Sequence, residues 1–314
     1  MYVSVNKPLS EIKFDKVKPK TKKYKEFINS CGFIDDTPMS FDIETSNGFY
    51  KNGTVYPFDK SKESSFWEDY EKVSIMYIWQ FAIDNNVFYG RTIEDLIYFL
   101  DDLEEVNPDY KFVYVHNLGF EFNAVIREYF HIEELFARKE RHPLYLRLSE
   151  YNIEMRCSYQ LTNLSLDNCV KEYNLETQKL DTLDYLDIKT PNTELSQQEL
   201  QYCYNDALIV NELMSKYRDE YGGLYNVPLT QTGEVRREVR KILSKRKGWN
   251  KLCYSLNCFT FEEYCELITA MTGGATHANR LFVDNVIDKG GDIFCFDFRK
   301  FVPVCDVVLQ ISFK

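Results

Sequence analysis

Long apolar runs are missing from this 314-residue chain. None approaches membrane-spanning length, and residues 1–7 hold no apolar signal core. A soluble, cytoplasmic protein with no membrane partner is therefore expected. Soft metal ligands are scarce: there are four histidines, and the nine cysteines contain no Cys-x-x-Cys pair. That excludes a zinc cluster, and the odd cysteine count reads as reduced or buried thiols rather than a disulfide framework. Positive charge is also short. Against 49 Asp and Glu stand 38 Lys and Arg, a net charge of -11. This balance argues against coating a duplex by bulk electrostatics. It leaves room for an enzyme that grips a few nucleotides through metal ions and local basic patches. Internal repeats and low-complexity tracts are absent as well.

What the chain does hold is a large apolar reserve. It is 44% hydrophobic and 16% aromatic, with 23 Tyr and 23 Phe. Most of these rings belong to a core, although such faces can also stack on unpaired bases. In chain order, residues 1–36 are lysine-rich and read as an irregular leader ending in a short helix near 24–31. Residues 40–46 read as a strand, followed by a turn at Asn47-Gly48, a loop over 47–68 and a hairpin around 54–58. Strands are expected at 73–84, 87–89, 112–115, 144–148 and 153–157. Helices are expected at 92–103 behind an N-cap Thr92, at 120–130, at 164–173, and from a Ser196-x-x-Glu199 capping pattern to about 220. Gly222-Gly223 and Pro228 mark a boundary. Beyond it lie a basic helix at 230–247, a helix at 261–271, a turn at Gly273-Gly274 and a strand at 292–298. Strands alternating with helices predict an α/β fold, a mixed sheet flanked by helices, with a mostly helical C-terminal extension.

The stretch Phe41-Asp42-Ile43-Glu44-Thr45 alternates apolar and polar residues. On a strand, residues two apart share a face, so Asp42 and Glu44 point the same way. Paired carboxylates repel, and one resists ionising unless a cation neutralises both. Hard oxygen ligands select Mg²⁺ or Mn²⁺. Read alone, Asp-x-Glu is equally an exposed strand face. Glu121, four residues past Asn117, and Asp206, four residues past Tyr202, could join the pair. Four such carboxylates can hold two ions roughly 3.5–4 Å apart, and Tyr202 could orient an attacking water.

Three motifs in order, Phe-Asp-Ile-Glu-Thr at 41–45, His-Asn-Leu-x-Phe-Glu at 116–121 and Tyr-x-x-x-Asp at 202–206, resemble those of a known domain. It is the 3′–5′ exonuclease domain of the family B DNA polymerases, and above all of their protein-primed branch from phages and linear plasmids. The resemblance implies a ribonuclease H-like fold and metal-ligand roles for Asp42, Glu44, Glu121 and Asp206. It makes the chain a member of the tyrosine subclass through Tyr202, since Gln201 stands where the other subclass has histidine. Thr45, Asn117 and Phe120 are expected to bind the 3′ single strand. Lys179 and Tyr185 are similar to a lysine–tyrosine element whose lysine assists phosphodiester cleavage, although Lys179 reads equally as a surface lysine. Ser158 and Leu161 fall where the branch contacts single-stranded DNA. Glu121 departs mildly from the aspartate that many members carry.

The resemblance continues and then breaks. Met271-Thr272-Gly273-Gly274 stands where the family has Tyr-x-Gly-Gly. Asp297 matches the metal-binding aspartate of the first polymerase motif, but the Ser-x-Tyr-Pro that should follow is missing. Back-translated and read one nucleotide downstream, residues 299–314 can encode Ser-Ser-Tyr-Pro at 300–303, so the tail is expected to be out of frame. The implied layout is a lysine-rich segment 1–36, an exonuclease domain 37–224, a linker and palm start 225–298, and the tail 299–314. The implied activity is a two-metal, Mg²⁺- or Mn²⁺-dependent 3′–5′ exodeoxyribonuclease on single-stranded DNA ends, without polymerisation by this chain alone. A terminal protein is a second candidate partner. The alternatives are a non-catalytic DNA- or terminal-protein-binding fragment and an RNA exonuclease of the same superfamily.

Overall fold

The computed structural model describes residues 1–18, 32–57, 64–140, 142–180 and 187–245, together with 248, 260 and 262. The expected helix at 24–31, Tyr185, the helix at 261–271 apart from residue 262, Met271 to Gly274, the strand at 292–298 with Asp297, and the tail 299–314 lie outside the described residues. Nearly all described residues fall in one unit, Met1–Lys245.

Ten strands form one mixed sheet in that unit. They are β1 (Val3–Ser4), β2 (Lys16–Val17), β3 (Ile34–Lys51), β4 (Thr54–Pro57), β5 (Glu71–Ile83), β6 (Asn86–Gly90), β7 (Tyr110–Val115), β8 (Glu134–Lys139), β9 (His142–Leu148) and β10 (Ile153–Cys157). The order is β1-β6-β5-β3-β7-β10-β9-β8, with β2 and β4 also paired to β3. The run β3, β5, β6 is antiparallel, and β7 and then β10 add in parallel on the other side of β3. This central order, third-second-first-fourth-fifth in chain sequence, is the ribonuclease H-like arrangement.

Turn chemistry sets these pairings. Between β3 and β4, Asn52 (φ 52°) and Gly53 (φ 84°) bridge the pair Lys51 and Thr54. That two-residue turn with both φ values positive matches the twist of the strands it joins. The expected turn at Asn47-Gly48 is therefore corrected: both residues lie inside β3. Gly48 is there because the sheet is tight, since a Cβ would sit 2.7 Å from the Tyr56 carbonyl oxygen and from Val55 Cγ1. Between β5 and β6, Asp84 takes a positive φ of 51° in the same role.

Helices cover both faces. On one, α1 (Ile93–Val106) starts at Thr92, whose hydroxyl accepts from Asp95 N–H while the Asp95 carboxylate accepts from Thr92 N–H. Leu96, Phe99, Leu100 and Leu103 recur at helical spacing and pack on Phe41, Ile43 and Phe81 of the sheet. The opposite face carries α4 (Ser158–Thr162), α5 (Leu166–Tyr173) and α6 (Gln197–Tyr221). There Ile209, Leu213, Met214 and Tyr217 of α6 cover Tyr110, Phe112 and Tyr114. The Ser196–Glu199 capping box opens α6, and Gly222 (φ 66°) closes it. The basic helix α7 (Gln231–Leu243) follows, capped by Thr230.

Three further expectations change. The leader contributes β1 and β2 to the sheet and buries Leu9 in the core, so it is not wholly irregular. Strand β8 pairs antiparallel with β9 where no strand was expected. Its run Glu-Leu-Phe-Ala-Arg-Lys is exposed along most of its length, so burial left no alternation to read. The helix near 120–130 is composite: α2 (Gly119–Glu121), a π-helical segment Phe122–Ile126, and α3 (Arg127–Tyr129).

Candidate metal centre and adjoining cleft

Asp42 and Glu44 lie on one face of β3, the face that α6 covers. Asp206 is set on the buried side of α6 by its spacing from Tyr202, Ile209 and Val210. One oxygen from each of Asp42, Glu44 and Asp206 lies within 4.8 Å of the other two. The fourth carboxylate, Glu121, is buried at the end of α2, just after β7, close enough to Asp42 and Glu44 to feel both charges. The π-helical turn begins one residue later, a widening that often accompanies functional sites. Thus three segments distant in sequence bring four carboxylates together.

The electrostatics follow from crowding. Burial, then the Asp206 carboxylate, pushes Asp42 up to about 7. Glu44 is held well above the carboxylate range by burial, then by Asp42 and Asp206. Burial and Asp42 do the same to Glu121. Among the described residues Lys179 is a cation that meets the cluster: its Nζ lies 2.6 Å from Asp206 Oδ2, donates to the Tyr202 hydroxyl at 3.2 Å, and sits 4.8 Å from the centre of the Tyr202 ring. One ammonium against four carboxylates leaves the group short of positive charge. Glu121 Oε2 is buried with no hydrogen-bond partner among the described residues. An all-oxygen donor set with an acceptor to spare fits a hard divalent cation.

Gln80 completes the site, and sequence reasoning missed it. Its Nε2 donates to Asp42 Oδ2 at 2.5 Å from the cross-strand position of β5. The signal was present: Gln80 is the one polar residue in the run Tyr77-Ile78-Trp79-Gln80-Phe81-Ala82-Ile83, and it is fully buried.

The remaining expected residues divide. Asn117, at the end of β7, is exposed and adopts φ 70°, a left-handed turn that asparagine tolerates. Phe120 is 39% exposed and Thr45 is half-buried beside Glu44. Ser158 and Leu161 are not at the surface, with exposures of 0% and 1%. Helix α4 starts as β10 ends, which tucks the Ser158 hydroxyl 3.1 Å from His116 Nδ1 and sends Leu161 into the core under α6. Between them Tyr159 stays exposed at 38% and meets His116 edge-on. His116 is pushed down to about 4, by burial and then by Lys179, so it is neutral at physiological pH.

Beside the carboxylates runs an open cleft of about 560 Å³, lined by His116, Asn117, Tyr159, Asp167, Lys179 and His142 among others. Lys179 belongs to both, so the cleft leads directly to Asp206. No described helix is long and apolar enough to cross a membrane.

No curated protein sequence matches the chain. Among solved structures it is similar to Phi29 DNA polymerase complexed with single-stranded DNA, at 12% identity and a TM-score of 0.46, over 67% of this chain and 36% of that one. The ternary complex of Phi29 DNA polymerase with primer-template DNA and incoming nucleotides gives 13% identity, a TM-score of 0.45, and 68% and 35% coverage. The chain thus spans about a third of the length of these structures. Residues 102–194, which hold Glu121, the cleft's Asn117 and Tyr159, and Lys179, match the family DNA polymerase type B, organellar and viral, the family that the three carboxylate motifs resemble.

Proposed function

We propose that the chain is a metal-dependent 3′–5′ exonuclease acting on single-stranded DNA ends, the proofreading part of a protein-primed DNA polymerase, with residues 37–224 as its exonuclease domain. The observation that carries this reading is the approach of Asp42, Glu44 and Asp206 to within 4.8 Å, with Glu121 buried close enough to Asp42 and Glu44 to feel both charges. Asp42, Glu44, Glu121 and Asp206 would hold Mg²⁺ or Mn²⁺. Bound there as a pair, the ions would supply Lewis-acid activation of water and stabilise the leaving oxygen.

The chain's own groups do the rest. Tyr202, held by Lys179, orients a water at the scissile phosphate; a phenol is too weak an acid at neutral pH to serve as the base. Lys179 faces the developing charge on that phosphate. The exposed faces of Phe120 and Tyr159 are available to stack on terminal bases, and Asn117 and Thr45 are placed to hydrogen-bond the strand. Ser158 acts, in this reading, by fixing His116 at the cleft wall rather than by touching DNA. Leu161 supports α4 from below.

The test is the double substitution Asp42→Ala with Glu44→Ala. Release of mononucleotides from a labelled single-stranded DNA should fall by at least about 10³-fold while binding of the same strand persists. Undiminished release would end the proposal. Faster release from a matched RNA would move the substrate class to RNA.

A further inference from the structure

We infer that the tip of the β8–β9 hairpin is a second nucleic-acid contact, which grips the phosphate backbone of the strand upstream of the end held at the carboxylates. The inference rests on the exonuclease reading for its substrate but on different residues. Arg138 and Lys139 close β8, and His142 opens β9 directly opposite Lys139 in the register. All three are exposed. Neither Arg138 nor Lys139 has an ion-pair partner among the described residues, although most other well-placed basic side chains of the sheet do. His142 also lines the cleft that reaches Lys179 and Asp206, so the tip and the carboxylates are two ends of one groove.

Charge selects the occupant. The chain carries a net -11, and its carboxylate cluster repels a polyanion, so a strand needs a local cationic hold away from the chemistry. Unpaired arginine and lysine on a projecting strand supply that hold without reading sequence. Glu140 at the same turn lowers the local charge but leaves it positive. Across the cleft, Asp167 is already paired with Lys171 at 2.5 Å, so that wall does not cancel the tip. The hairpin also ends the described sheet order, and β8 is exposed along most of its length.

The experiment is equilibrium binding, by fluorescence anisotropy in chelator, of oligonucleotides of about three and about twelve nucleotides to the full chain. It compares the unmodified protein with Arg138→Glu/Lys139→Glu and with the milder Arg138→Gln/Lys139→Gln. The charge reversal should weaken the long strand about tenfold and leave the short one unchanged. Loss of two phosphate contacts should flatten the slope of log K against log salt by about 1.4. The neutral pair should fall between. Unchanged binding of the long strand, as expected for a patch that docks an acidic protein instead, would overturn the inference; so would equal losses on both lengths. Length- and charge-dependent binding without any metal-dependent release of nucleotides would sink the exonuclease reading and leave this one intact.

Discussion

Lys179 touches two residues that matter, the Asp206 carboxylate and the Tyr202 hydroxyl, and its own ammonium is only partly exposed. If it faces the charge that develops on phosphate, Lys179→Met should lower kcat on single-stranded DNA by about 10²-fold and change KM little. A surface lysine that merely balances Asp206 would instead leave kcat alone and change the metal concentration needed for half-maximal rate. The kcat and KM split, measured across a magnesium titration, separates the two. Tyr202→Phe removes the hydroxyl but keeps the ring beneath the ammonium, and about a tenfold loss is expected. At this scale the sequence was informative where a local period fixed the face. Asp42 and Glu44 could be placed together because β-strands alternate, and Tyr202 with Asp206 because helices repeat. Gln80 could not, since its meeting with Asp42 depends on the register between β3 and β5, which no local pattern states. Ser158 and Leu161 came from resemblance alone, which carries a position but not its burial.

At the scale of elements, β3 does two jobs. Its middle presents carboxylates, and its first residues anchor the fold through Asp36, which is largely buried and accepts from Leu224 N–H at 2.6 Å. Burial raises Asp36 to about 6, more than Arg218 lowers it. A carboxyl whose folded pKa exceeds its unfolded value near 3.9 binds its proton more tightly when folded. Its contribution is therefore fully present below about pH 4 and is lost as pH rises through about 6. Asp36→Asn keeps an acceptor for Leu224 and removes the titration. Urea midpoints compared from pH 4 to 8 should favour the asparagine variant increasingly as pH rises, with little difference at the acid end. A variant that was less stable at pH 8 would mean that Arg218 outweighs burial. Elements with strong internal signals were legible for the same reason: α1 and α6 announce their starts through capping boxes, and Leu144–Leu148 of β9 and Ile153–Cys157 of β10 place apolar residues at every second position. Strand β8 was not, because a strand at the sheet's end gains little from alternation when neither face is buried. The turn at Asn47-Gly48 failed differently, since an identical Asn-Gly pair stands five residues on and the hairpin uses that one, Asn52-Gly53.

The whole molecule carries the consequence of packing four carboxylates around one ammonium. Like charges that cannot all be neutralised lower the stability of the fold when no cation is bound, and the raised positions of Asp42, Glu44 and Glu121 express that cost as retained protons. A cation that binds only the assembled site stabilises the folded state by about 2.7 kcal/mol at a hundredfold excess over its Kd. For a domain of this size that corresponds to a rise in Tm of roughly 5–10 °C. Calorimetry of the full chain with Mn²⁺ or Mg²⁺ against chelator should register such a rise. The Asp42→Ala/Glu44→Ala variant should lose the metal response, and in chelator it should melt no lower than the unmodified chain, because two of the repelling charges are gone. Zn²⁺-selective stabilisation would contradict the hard-oxygen character of the site, and a midpoint indifferent to every divalent cation would mean that the cluster is held by protons and Lys179 alone. Thermal shift thus tests the metal centre without reference to any substrate, and it distinguishes a site built for cations from one whose carboxylates meet only because β3 and α6 must pack.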